Sequence, residues 1–379
     1  MEEMVMGNYL FILWSKARKH RDAILADLHT RFNQVKSFEI TWSQQFMESN
    51  FSRFYEKQMG ISEIEKKYGV EPFLLCLVAG EHEDAESAIL CYRKKIGADD
   101  AIYAALSEKQ ANRDVTLLLG KNLSDLAKQD NFNFEAITHI DKDLVGASGW
   151  ESMTQFFYVL NNTITYCVLR NIETISDDYD PEKYGDIDIM VENLKSAKFV
   201  INGEKYLPDY LNPGMFKIAV SNKQVEFDMS YVGDDYMDIR WEKDILRSMA
   251  VLPPPPHSCG AAAMSPMHQY FTLLYHAYVH KRELSPKYHE KLRKAAMRIG
   301  ATYQENIAYS MNQLQQFFEV NSYHFTIPSQ MEGAVNWNNL RYVASYHKLW
   351  KKYLYTHKFI PNLCKFLNKI KRKLKKIIK

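Results

Sequence analysis

The stretch YGDIDIMV, residues 184–191, sets two aspartates inside an apolar, strand-like run. An ionised carboxylate is costly to take out of water unless a cation or hydrogen bonds compensate it. At the two-residue period of a strand, Ile187, Ile189 and Val191 share one face, which leaves Asp186 and Asp188 with Met190 on the other. Two acids one strand repeat apart, just after Gly185, offer hard oxygen ligands to a divalent cation. The competing reading is an edge strand with a solvated polar face. A third acid bears on the choice. In QVEFDMSYV, residues 224–232, Val225, Phe227 and Met229 alternate with Glu226, Asp228 and Ser230, so Asp228 can join Asp186 and Asp188 if the strands are neighbours. Three carboxylates that close repel one another and raise their own pKa values unless cations neutralise them. That need argues for Mg²⁺ or Mn²⁺, ions that clamp phosphate oxygens in phosphoryl-type transfer. Glu226 is the alternative third ligand if the strand register is one step off.

The segments around the acids alternate in type. ESMTQFFYVLNN (151–162) reads as a helix, TYCVLR (165–170) as a strand, and 171–185 as a polar loop. After the acidic strand come a helix in ENLKSAK, a strand in FVING, and two strands, MFKIAV and KQVEFDMSYV, joined at Ser221 and Asn222 by a tight hairpin turn. WEKDILRSM closes the unit as a helix. Arg170, at the end of the first strand, can bind phosphate through its guanidinium fork or pair with Glu173 or Asp177. This order resembles the nucleotidyltransferase fold of DNA polymerase beta-like enzymes, antibiotic nucleotidyltransferases and the choline-phosphate and fukutin-like transferases of glycan modification. GDIDI is similar to the acidic motif of the fukutin-like group, which moves alditol-phosphate or choline-phosphate from a cytidine diphosphate carrier onto sugars. The resemblance implies that Asp186 and Asp188 form the metal-binding pair and that Asp228 is the third carboxylate of the catalytic site. It also implies a nucleotide or CDP-linked donor. The chain departs from the family after the first strand, where a Gly-Gly or Gly-Ser pair is usual and bare backbone N–H groups approach phosphate: Leu169, Arg170 and Asn171 stand there.

Residues 8–116 alternate strand-like and helix-like runs in the order β-α-β-α-β-α: YLFILW, KHRDAILADLHTRF, QVKSFEITW, QQFMESNFSRFYEKQM, PFLLCLVAG and AESAILCYRKK. Short connections between such runs argue for a small α/β sandwich. The order is similar to that of the nucleoside diphosphate kinases, and IYAALSEKQANRDV (102–115) resembles their Ile-His-Gly-Ser-Asp-Ser stretch and the helix after it. Ser107, Ala111, Arg113, Asp114 and Val115 match in kind, Lys16 falls where the family keeps a phosphate-contacting lysine, and Tyr103 takes the place of the phosphorylated histidine. Tyrosine does not replace that imidazole as a nucleophile at neutral pH. The resemblance therefore implies a ferredoxin-like fold without the kinase activity, left with nucleotide or partner binding.

At 379 residues the chain is long enough for two or three domains. Hydrophobic residues at 46% and charged residues at 25% exclude disorder as the default. Cys76, Cys91, Cys167, Cys259 and Cys364 show neither disulfide pairing nor zinc spacing, which favours a reducing compartment. YLFILW is too short to span a membrane and lacks the basic flank of a signal peptide. The proline run at 252–256 reads as a stiff linker, and mainly helical segments follow. In LLYHAYVHK, His276 and His280 lie one helical turn apart. They could ligate zinc, but the metalloprotease glutamate is missing, and structural histidines or polar groups lining a groove beside the acids are the competing reading. Lys281 and Arg282 directly follow and suit an anionic substrate, or else form a solvated helix end.

The tail is the other clear signal. Residues 363–379 carry eight of the 48 Lys/Arg and no acid, so the net charge of +2 becomes 2 − 8 = −6 for the rest. Leu363, Phe366, Leu367, Ile370, Leu374, Ile377 and Ile378 fall on one side of a helix, the pattern of an element lying in an anionic membrane interface. Nucleic acid is the competing polyanion. The expectation is a multidomain α/β protein, cytoplasmic and peripheral at the inner face of the membrane. Residues 1–145 would form the kinase-like domain, 146–251 the nucleotidyltransferase-like domain, 252–360 a helical substrate domain and 361–379 the membrane-associating helix. A membrane tail points to a glycan or lipid-linked acceptor in bacterial surface polysaccharide synthesis. The rivals are an inactive nucleotide-binding scaffold and an RNA-directed nucleotidyltransferase.

Overall fold

The structure is a computed structural model and describes residues 7–32, 34–128, 136–208, 212–252, 258–281, 283–327 and 335–355. Arg282, Cys364, the prolines at 253–256 and the basic tail lie outside the described residues. The protein is mixed α/β, with two mixed sheets. Its backbone contacts divide it into two compact units: residues up to Ile164 with Lys195–Gly203 and Ile218–Lys223, and Thr165–Leu194 with Glu204–Lys217 and residues from Gln224 onward.

The first unit runs β1 (Gly7–Leu13), α1 (Arg21–Arg31), β2 (Gln34–Thr41), α2 (Met47–Tyr55), α3 (Ile61–Lys67), β3 (Phe73–Gly80), α4 (His82–Ile96), β4 (Ile102–Ala105), α5 (Glu108–Leu119), α6 (Leu123–Ala127), β5 (Thr138–Asp141) and α7 (Met153–Thr163). Its sheet has the order β4-β1-β3-β2-β5. β1 is antiparallel to β3 and β4, and β2 is antiparallel to β3 but parallel to β5. One face of the sheet packs Phe11, Leu74 and Val78 against Ile24, Leu28, Ala88 and Tyr92. The sequence pattern marks β1, β2 and β3 through the runs YLFILW, QVKSFEITW and PFLLCLVAG, whereas β4 falls in the stretch read only for its resemblance to the kinase motif. β5 carries no such pattern: its residues are mostly exposed, and it is held by backbone pairing to the edge of β2.

The second sheet has the order β11-β12-β6-β7-β10-β9-β8. Its strands are β6 (Tyr166–Val168), β7 (Ile187–Val191), β8 (Glu204–Lys205), β9 (Met215–Val220), β10 (Lys223–Tyr231), β11 (Ala250–Val251) and β12 (Ala262–Ala263). β7 is antiparallel to β6 and parallel to β10. Ser221 and Asn222 take φ of 49° and 64° between β9 and β10, the double left-handed turn that a two-residue hairpin requires. The helices of this part of the chain are α8 (Pro181–Tyr184), α9 (Leu194–Ile201), α10 (Ile239–Arg247), α11 (Pro266–Tyr275), α12 (Pro286–Arg298), α13 (Ile307–Asn321), α14 (Trp337–Leu340) and α15 (Tyr346–Tyr353). Trp241, Tyr275, Leu314, Phe318 and Leu349 form the core of the helical part, together with Cys167 and Met190 from the sheet.

One expected strand is a helix. FVING contributes Phe199, Val200 and Ile201 to α9, because Ala197, Val200 and Ile201 recur at the i, i+3, i+4 period and are all buried. A short apolar run does not distinguish the two periods unless the preceding residues are counted with it.

Candidate metal centre

β7 is an interior strand, paired on both sides, and all five of its residues are buried. The edge-strand reading is therefore excluded for Asp188. Asp188 is 6% exposed. Its neighbour two residues on, Met190, packs into the helical core, so the carboxylate lies on a face covered by protein. Asp188 and Asp228 are register partners in the parallel ladder of β7 and β10, which sends both side chains to one face. Asp186 precedes the strand and is exposed. One carboxylate oxygen from each of Asp186, Asp188 and Asp228 lies within 4.8 Å of the others. Among the described residues this is the one group with metal-binding geometry. Glu226 is not part of it, and its Oε1 lies 3.5 Å from Lys217 Nζ.

Local backbone chemistry aims these acids. α8 starts at Pro181, with Asp180 capping it by accepting the N–H of Glu182 at 3.1 Å. It ends on Gly185 at φ 84°, ψ −143°, a conformation essentially reserved for glycine. The Tyr179 hydroxyl donates to the Gly185 carbonyl at 3.1 Å. That fixed bend delivers Asp186 to the mouth of β7. On the other strand, Asn212 Nδ2 donates to Asp228 Oδ1 at 3.3 Å, while Asn212 Oδ1 accepts the Gly214 N–H at 2.8 Å. A Cβ on Gly214 would meet the Met229 carbonyl oxygen at 2.0 Å, so only glycine permits the approach that places Asn212 beside Asp228.

Arg170 is the second component of the centre. Its Nε donates to Asp188 Oδ2 at 2.9 Å and its Nη2 to Asp188 Oδ1, a bidentate pair. The partner is Asp188 rather than Glu173 or Asp177. Its Nη1 lies 2.6 Å from His276 Nδ1, and the Tyr236 hydroxyl is 2.7 Å from the same nitrogen. Arg170 has only donors, so Nδ1 accepts and the ring proton of His276 sits on Nε2. Burial, followed by the charge of Arg170, pushes the His276 pKa well below its ordinary 6.5, in keeping with a neutral ring. His280 stacks on Tyr236 with ring centroids 4.3 Å apart. His276–His280 forms a π-helical turn in which Lys281 N–H reaches back to the His276 carbonyl. The histidines thus support the arginine, and no zinc-type group includes them among the described residues.

The electrostatics follow from burial and crowding. Desolvation raises Asp188, and Arg170 and Lys281 oppose that rise without cancelling it. Asp228 is pushed up to about 6 by burial and then by the Asp188 charge. Tyr179 is pushed up to about 12 by burial and the charges of Asp186 and Asp188. Lys281 holds its Nζ 5.1 Å from the Tyr288 ring centroid. Arg282 lies outside the described residues.

The sequence reading passed over Tyr236, Asn212 and the cations of α12. Lys287, Lys291, Lys294 and Arg298 fall at i, i+4, i+7 and i+11, a single helix face whose spacing was visible. Asn171 Oδ1 accepts from Lys291 Nζ. Asn171 itself takes φ 57°, the left-handed turn that asparagine tolerates best after glycine, so the chain reverses after β6 without a glycine.

In the first unit, the Tyr103 hydroxyl donates to Asp114 Oδ2 at 2.5 Å and accepts from Gln110 Nε2 at 2.7 Å. Arg113 pairs with Asp114 and Glu56. Burial and the Asp114 charge raise the phenol further from ionisation. Compared with protein-family models and with curated proteins, the chain matches none.

Proposed function

We propose that the protein is a divalent-metal-dependent transferase that moves a nucleotidyl or phospho-alditol-type group from a nucleotide or CDP-linked donor to a glycan or lipid-linked acceptor. The observation that carries this reading is the placement of Asp188 in an interior strand with Asp228 as its register partner and Asp186 within 4.8 Å. Crowding two more carboxylates against the buried Asp188 is unfavourable unless a cation belongs there. Arg170 neutralises one charge and leaves an excess. Asp186, Asp188 and Asp228 would hold Mg²⁺ or Mn²⁺, and such an ion when bound supplies charge stabilisation at phosphoryl oxygens. Arg170 fixes the Asp188 rotamer, and Asn212 fixes Asp228, to which we assign the proton of the attacking hydroxyl. The parallel β7/β10 ladder supports the nucleotidyltransferase-like reading of this part of the chain. The antiparallel β4-β1-β3-β2 order supports the ferredoxin-like, nucleoside diphosphate kinase-like reading of the first unit, and the half-buried Tyr103, its hydroxyl held by Asp114, supports its inactivity. Among the described residues no helix is long and apolar enough to cross a membrane. The eight cations and the apolar side of residues 363–379, outside the described residues, support peripheral attachment of the chain to the anionic inner face of a membrane.

Melting of the full chain against Mn²⁺, alone and with nucleoside triphosphates or CDP conjugates, tests this. Mn²⁺ should raise the melting temperature, and Asp188→Asn and Asp228→Asn should each abolish the shift. Wild-type protein indifferent to Mn²⁺ and to every nucleotide would remove the transferase reading. The pair of Arg170 with Asp188 favours one second reading, an inactive nucleotide-binding or scaffold protein whose acids are held by arginine instead of metal. That reading requires the same null result.

A further inference from the structure

Behind Arg170, on the α12 side, lies a cavity of about 120 Å³. Its polar lining is Arg170, Asn171 and Glu173 from the turn after β6, Gln269 from α11, and Lys291, Lys294 and Arg298 from α12. Asp186, Asp188 and Asp228 do not line it, so it is separate from the metal centre and shares only Arg170 with it. The charge balance of its wall is uneven. Lys294 has a carboxylate partner, Glu290, at 2.6 Å. Lys291 instead donates to the side-chain amide oxygen of Asn171, and Arg298 to that of Gln269 at 3.4 Å. Both cations thus face the cavity on neutral oxygens, with Glu173 as the one acid in the lining. Lys291 is also partly desolvated, and this burial, followed by the charge of Lys287, lowers its pKa. Lys291 is half-buried with a neutral oxygen as its hydrogen-bond partner, and Arg298 is exposed; the Glu173 charge acts on Lys291, but one carboxylate leaves the three lining cations of α12 in excess, which an incoming anion offsets. The same cavity is walled by Ile172, Leu273 and Ala295, apolar surface that a bare anion does not use and an organic ester can.

We infer that this cavity binds the phosphate of a small phosphate monoester, a second anionic group of the substrate distinct from the phosphates at the metal centre. The ligand lies with its phosphate between Lys291 and Arg298, Lys294 at the rim, and its carbon skeleton along the apolar wall. The name substrate rests on the transferase reading, but binding itself does not, and the two fail separately.

The test is calorimetric titration of the full chain in EDTA with inorganic phosphate, glucose 1-phosphate and glucose. Both phosphates should bind and glucose should not. Tighter binding of the ester marks a monoester as the ligand, whereas equal affinities mark free phosphate and overturn the monoester assignment. Lys291→Gln combined with Arg298→Gln should weaken binding by about tenfold or more, the scale of a lost charge-assisted contact. Lys294→Glu, at an exposed position that does not threaten folding, should weaken it in the same direction. No binding by wild type at about 10 mM, or binding that all these variants leave unchanged, overturns the inference. Mn²⁺ titration of the same samples keeps the readings apart, since loss of phosphate binding with Mn²⁺ binding retained sinks this site alone.

Discussion

At the scale of single residues, the most consequential contact is the bidentate pair of Arg170 and Asp188, nearly enclosed by protein. Removing one member of such a pair strands the other charge, while removing both leaves a neutral gap. Arg170→Met or Asp188→Asn should therefore each lower unfolding free energy by about 3–5 kcal/mol, and the double variant should recover much of that loss. Urea denaturation of the four proteins in EDTA measures the coupling. Simple additivity of the two losses would show that the pair contributes nothing beyond two independent side chains. The acids themselves were legible in the sequence, because a strand has a fixed period of two and an aspartate among isoleucines stands out against it. Their partners were not. Arg170 lies 18 residues from Asp188 and 106 from His276, and no local periodicity encodes which guanidinium a folded sheet brings to which carboxylate. Nor does the sequence say which strand is interior, and it is the interior position that makes Asp188 costly to leave uncompensated.

Among the elements, the segment between β10 and α10 shows how the centre is held from a distance. Asp234 accepts the backbone N–H groups of Tyr231 at 3.0 Å and Tyr236 at 2.8 Å. Glu242, at the start of α10, accepts those of Gly233 at 2.8 Å and Met237 at 3.2 Å. The two side chains are also hydrogen-bonded to each other. Burial raises both carboxyls, so the pair favours holding a proton, and the contact to Asp234 pushes Glu242 further in that direction. This pair sets the turn that carries Tyr236 to His276 and Arg170. The sign of the linkage is fixed by the direction of the shift. Folded protein retains a proton that unfolded chain releases above Glu242's ordinary 4.5, so the stabilisation is complete below that value and is lost as pH rises through the raised, folded value. Denaturant midpoints should fall from about pH 5 to about pH 8: Asp188, Asp228 and Asp234 are raised in the same sense, and the Glu242 share is at most about 1.4 kcal/mol per pH unit for one proton. Glu242→Gln, which keeps a donor without a titration, should lessen that slope above the Asp228 value of about 6, and an unchanged slope there would assign the dependence elsewhere. Helix α10 was legible, as was the hairpin at Ser221 and Asn222, because both depend on local spacing and turn chemistry. The raised pKa of this acid pair was not, since it arises only when a loop acid and a helix acid meet in a dry environment.

Across the whole molecule, sequence order alone conveyed a mixed α/β protein, because alternating apolar strands and amphipathic helices leave few other ways to bury both faces of a sheet. β5 and the helical end of FVING escaped that reading, one held by backbone pairing without an apolar pattern and the other too short to reveal its period. The charge distribution supports a prediction at this largest scale. With eight cations in residues 363–379 and a balance of −6 elsewhere, attraction to an anionic surface belongs to the tail, while the remainder is repelled by the same surface. Near such a surface each lysine or arginine contributes about 1 kcal/mol, and the apolar side of the tail adds area buried among acyl chains. The full chain should therefore float with vesicles containing anionic lipid and stay behind with neutral ones. Raising salt should weaken flotation in part, because screening removes the electrostatic share but not the apolar one. A variant ending at residue 362 should lose flotation while keeping the Mn²⁺-dependent melting shift, since none of the site residues lies in the tail. Flotation that survives the truncation would transfer membrane binding to the folded units. Tail-dependent capture of RNA with no binding to anionic vesicles would instead make nucleic acid the partner, and the acidic centre would then act on a polynucleotide end.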